Sequence, residues 1–148
     1  MTNAVRAERF ERVASDQLDW SGKIRNRSEF TGLGGMRTGS APVGDFLSRI
    51  WANYGPPDSV AFEGFAYAFR DKQTGLPFSA YAAGSGPPYG GFPKDQQQLM
   101  QVLAAFDNLL VNTTPADCQI EYDTDFGPMR SGSRDGKPFD EEIGPRNE

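Results

Sequence analysis

Histidine is absent from all 148 residues. That removes the commonest general base, a common metal ligand, and any Ser-His or Cys-His nucleophile pair. Cysteine is almost as scarce: Cys118 stands alone and cannot form an internal disulfide. No apolar run approaches the length of a membrane span, and the opening residues MTNAVRAERFERV lack the apolar stretch of a signal peptide. The expected compartment is therefore the cytoplasm, with no membrane partner. Positive charge is also short, with a formal net charge of -5 and a pI near 4.8. Phosphate backbones should repel such a chain, so nucleic acid is not expected as a direct ligand.

What the sequence does contain centres on Val60 to Gly91. Phe65, Tyr67 and Phe69 alternate, as do Phe78, Ala80 and Ala82, so each set falls on one face of a strand. Between them Asp71-Lys72-Gln73-Thr74-Gly75 has the composition of a hairpin loop, its glycine free to take positive φ. Two helices flank this hairpin. Val43, Phe46, Leu47, Ile50 and Trp51 form one apolar stripe after Pro42, and Leu99, Val102, Leu103, Phe106, Leu109 and Leu110 form another over 94–111. The second helix is expected to lie across the aromatic face of the sheet.

Residues 117–123 alternate cleanly, with Cys118, Ile120 and Tyr122 facing one way and Asp117, Gln119, Glu121 and Asp123 the other. A turn at 125–128, a strand at 129–133, an Asp135-Gly136 bend and an edge strand at 138–143 complete the pattern. The expected fold is α+β, a mainly antiparallel sheet of four or five strands with helices on one face. The expected division is an N-terminal helix and flexible arm over 1–41, one domain over 42–143 and a frayed tail over 144–148. In the arm, Asn3 is placed to cap a helix carrying Phe10, Val13 or Ala14, and Leu18, with Glu8 and Arg12 in an i,i+4 pair. Seven Lys/Arg face five Asp/Glu there and eight face fifteen in the rest, so the arm carries +2 and the remainder -7. The interleaved acids favour a solvated leader over a basic binding arm.

Chemistry-bearing groups are few. Asp117, Glu121, Asp123 and Asp125 offer oxygens to a divalent cation, but alternate strand residues lie about 7 Å apart and the spacing misses the calcium-loop pattern. No metal or cofactor is expected. A solvated outer face explains the alternation, and so does a carboxylate row offered to a basic partner. The loop from Gly84 to Gly91 lacks any phosphate-binding motif, while Pro87 and Pro88 remove two N–H donors. It reads instead as a stiff loop showing Tyr89 and Phe92 as contact residues. Cys118 falls on the core face with no base to activate it, Ser79 and Ser85 lack a nucleophile elbow, and Glu63 reads as an exposed strand end. No catalytic residue is assigned.

The succession of a short helix ending in Gly55-Pro56-Pro57, the hairpin FAYAFRDKQTGLPFSAYAAGSGPPYGG, an amphipathic helix and the acidic strand PADCQIEYD resembles small immunity proteins of bacterial polymorphic-toxin and contact-dependent inhibition systems. The resemblance covers about residues 42–140. It implies a cytoplasmic protein that binds a cognate toxin domain and blocks its active site without turnover. With this acidic surface the toxin would be basic, such as a nuclease, and Asp117, Glu121, Asp123, Asp125, Tyr89 and Phe92 would meet it. The alternative is a small enzyme or ligand-binding domain with a pocket between loop 84–91 and helix 94–111.

Overall fold

A computed structural model describes residues 7–13, 43–61, 64–83, 89–91 and 96–143. In chain order the elements among them are β1 (Phe10–Arg12), α1 (Val43–Tyr54), β2 (Ser59–Ala61), β3 (Gly64–Asp71), β4 (Pro77–Ala83), β5 (Tyr89–Gly91), α2 (Gln96–Val111), β6 (Cys118–Thr124), β7 (Gly127–Arg134) and β8 (Lys137–Glu142). The class is α+β, and every ladder is antiparallel.

The aromatic hairpin forms as its pattern requires. Phe69 stands opposite Phe78, Tyr67 opposite Ala80 and Phe65 opposite Ala82. Gly75 closes the loop at φ 80°, donating its N–H to the Asp71 carbonyl at 2.7 Å. Helix α2 covers this face. Val102, Leu103, Phe106, Leu109 and Leu110 are all fully buried. The Phe106 ring lies 5.0 Å from Phe69, 5.2 Å from Phe78 and 5.1 Å from Phe10, within the range in which aromatic pairs attract.

Phe10 belongs to this core, and residues 10–12, expected to be part of a helix, are a strand instead. Its register sets Phe10 opposite Asp71 and Arg12 opposite Phe69. Phe10 is 3% exposed. Its flanking arginines reach across the sheet: Arg9 donates two hydrogen bonds to Asp71, at 2.7 and 3.0 Å. Arg12 donates to the Tyr54 and Pro56 carbonyls and to Asp58, with its guanidinium 4.9 Å from the Tyr67 ring centroid. Tertiary pairing overrides local helical spacing in so short a segment.

The strands divide into two sheets. One runs β1-β3-β4-β5, with β2 also on β3, and the other runs β6-β7-β8. Both edges of the aromatic hairpin are occupied by three-residue strands, β1 and β2 on one side and β5 on the other, so the last three strands form a sheet of their own. The β5 pairing also shortens the expected 84–91 loop, since Tyr89 stands in a strand opposite Ala80.

Helix α1 joins the two sheets. At its start, the Val43 and Gly44 N–H groups donate to the Asp140 carboxylate of β8, at 3.0 and 2.8 Å. At its end, Arg12 of β1 takes the Tyr54 carbonyl. An anion at the N-terminus and a cation at the C-terminus both complement the helix dipole. The first turn sits directly on the second sheet: a Cβ at Gly44 would collide with backbone atoms of Gly132 and Phe139. Such an approach explains why β7 reads Ser131-Gly132-Ser133, all buried and all small. Arg49 then ties α1 to the end of α2 through the Leu110 and Thr113 carbonyls.

Candidate functional site

The sheet β6-β7-β8 turns its polar face to solvent. Ile120 and Tyr122 are buried, while Gln119, Glu121 and Asp123 are exposed, as the alternation requires. Register then decides what each carboxylate meets. Glu121 stands opposite Arg130, which stands opposite Glu141. Arg130 donates to Glu121 Oε2 and to Glu141 Oε2, both at 3.1 Å. Arg134 reaches Glu141 Oε2 at 2.7 Å with its guanidinium 3.9 Å from the Phe139 ring centroid. Hydrogen bonds from Arg134 and Arg130 hold the Glu141 carboxyl below its ordinary range despite some desolvation.

The four acids expected to form one row therefore fall into three circumstances. Glu121 is engaged with Arg130, although its side chain is 54% exposed. Asp117 accepts the Gly136 N–H at 3.1 Å and belongs to the β7–β8 turn. At about 3.4 Å per residue it lies roughly 20 Å from Asp123 along the strand, too far for one small contact. Asp123 and Asp125 are exposed together at the β6–β7 end, Asp123 opposite Pro128 and Asp125 in the turn. The Tyr89 backbone lies in the other sheet, and Phe92 falls outside the described residues, as do Glu63, Ser85 and much of the wall of the alternative pocket.

The β6–β7 turn also presents a residue that sequence reasoning passed over. Thr124 pairs with Gly127, leaving Asp125 and Phe126 as a two-residue loop. The Thr124 hydroxyl cinches it, donating to the Gly127 carbonyl at 2.8 Å and accepting the Phe126 N–H at 3.0 Å. Phe126 is thereby held outward and is 82% exposed, the most open of the large hydrophobic residues described. The available signal was an aromatic at a position where turns favour small polar residues.

Nucleophilic chemistry has little footing in this sheet. Burial pushes the Cys118 thiol up to about 11, so the thiolate that would attack is scarce at neutral pH. Among the described residues no three Asp, Glu or Cys side chains gather as metal ligands, and no helix is long and apolar enough to cross a membrane. The arrangement offers charge, shape and one exposed ring to another surface. Compared with known protein families, curated proteins and solved structures, the chain matches none.

Proposed function

We propose that this protein is an immunity-type inhibitor that binds a basic toxin domain in the cytoplasm and occludes its active site without turnover. The observation that carries the reading is the acidic end of the second sheet. Asp123 and Asp125 are exposed there, one at the end of β6 and the other in the turn that follows. The cations of the same face, Arg130 and Arg134, are held by Glu121 and Glu141 farther along it. A cationic partner would be drawn to that end, since complementary charge raises the encounter rate and selects the partner. The sequence resemblance to toxin-neutralising proteins supports the same conclusion.

The reading expects a large secreted protein encoded beside this gene, and the test uses the C-terminal domain of such a protein, made as a catalytically inactive variant. Wild-type protein should form a one-to-one complex with it and protect cells that express the active form. Asp123→Asn with Asp125→Asn should slow association several-fold at low ionic strength, with the difference shrinking as salt rises. Failure of the wild type to bind or protect would remove the reading. Unchanged association at both salts would leave the carboxylates as a solvated face.

A further inference from the structure

Phe126 stands where an aromatic side chain is costly to leave open to water. Burying a phenyl ring is favourable relative to leaving it in water, yet this one is 82% exposed. It is also held in place. The Thr124 hydroxyl bonds both to its N–H and to the following carbonyl, and Gly127 takes a φ of 117° that closes the bend. Across the hairpin, the Ile143 N–H donates to the Pro128 carbonyl at 3.1 Å, so the end of β8 braces the tip. A ring presented on a braced tight turn loses little conformational entropy on contact, which is the property of an interface anchor.

The surroundings of the ring specify what it enters. Asp123 and Asp125 lie on the same hairpin, both exposed, while Glu142, in register with Met129 and Tyr122, belongs to the other face of the sheet. An apolar residue beside exposed carboxylates matches a socket whose floor is apolar and whose rim carries Lys or Arg. Central aromatic anchors with polar rims carry most of the energy of many protein interfaces.

Resting on the function proposed above, we infer that Phe126 is the anchor of the toxin interface, inserted into an apolar socket with a basic rim on the toxin domain. Asp123 and Asp125 steer it there. Glu121, the centre of the expected acidic row, stands outside the contact and orders Arg130 instead. The interface is thus centred on the hairpin tip rather than on the middle of β6.

The experiment compares Phe126→Ala, Phe126→Leu and Glu121→Gln with wild type against the same inactive toxin domain. Phe126→Ala should weaken Kd by about 30-fold or more, mainly through faster dissociation, because truncating a hot-spot residue costs at least that much. Phe126→Leu should recover much of the loss, and Glu121→Gln should bind within about threefold of wild type. Wild-type binding with an unaffected Phe126→Ala would overturn the anchor while leaving the immunity reading intact. No binding by wild type would remove both. Thermal melts of the free proteins and their masses in solution complete the test. A melting temperature several degrees lower for Phe126→Ala would mean that the ring serves this chain's own fold. A wild-type dimer that becomes monomeric in the variant would assign the ring to a second copy, and either result overturns the proposal.

Discussion

Arg9 and Asp71 lie 62 positions apart in sequence and meet through two hydrogen bonds, the carboxylate fully buried and the guanidinium partly open. Burial alone would push the Asp71 carboxyl up. Donors from Arg9, Thr74 and the Gln73 N–H outweigh it and hold the group below its ordinary range. A carboxyl that ionises more easily folded than unfolded stabilises the fold above the ordinary carboxylate pKa of about 4, and that contribution is lost as pH falls through the depressed value. Asp71→Asn should therefore destabilise the protein at pH 7 by roughly 1.5–3 kcal/mol. Its melting temperature should also fall less steeply than the wild type's between pH 5 and pH 2, and parallel curves would show that other carboxylates govern acid unfolding. None of this was visible in the sequence, where Arg9 counted only as a leader charge and Arg12 as the i,i+4 partner of Glu8. Their partners belong to strands and a helix end, brought near by pairing that no local spacing encodes. Glu121 illustrates the same limit: alternation placed it outward, while the cross-strand register placed it against Arg130.

At the scale of elements, strong periodicity was legible and short pairing was not. The hairpin β3–β4, the helix α2 and the sequence of strands from β6 to β8 follow from alternation, apolar spacing and turn residues. Asp135 and Gly136 take φ values of 54° and 77°, as an Asp-Gly tight turn requires. Strands β1, β2 and β5 have three residues each, too few to show a period, and they form because the hairpin edges offer unpaired N–H and carbonyl groups. Helix α1 was legible as a helix, but not its seat on β7. That seat yields a prediction opposite in sign to helix propensity. Alanine normally improves on glycine within a helix by about 0.5–1 kcal/mol, yet Gly44→Ala would drive a methyl group into the backbone of Gly132 and Phe139. A loss of about 1–3 kcal/mol is expected in a denaturant titration. A neutral or stabilising result would mean that α1 rides higher over the sheet.

In the molecule as a whole, the most consequential feature is the clasp on α1, whose two ends are held by β8 and β1. Arg12 has been synthesised before the helix, but Asp140 follows Gly44 by 96 positions, so its cap on the N-terminal turn is not in place until nearly the whole described chain exists. The first sheet can assemble earlier, yet the helix that joins it to the second cannot be seated. On the ribosome this protein should therefore complete its fold late, after residue 140 has left the exit tunnel, because contacts so distant in sequence form only when both partners are available. Nascent chains arrested with residue 140 still inside the tunnel should be cut by protease near α1, and chains extended by a linker of about 40 residues, roughly 130 Å of extended polypeptide, should resist. Protection already present in the shorter chains would mean that the first sheet holds α1 unaided. In a producing cell, late completion leaves the nascent chain open to chaperones and proteases for most of its synthesis, so the yield of folded protein would depend on finished chains, not on those still being made.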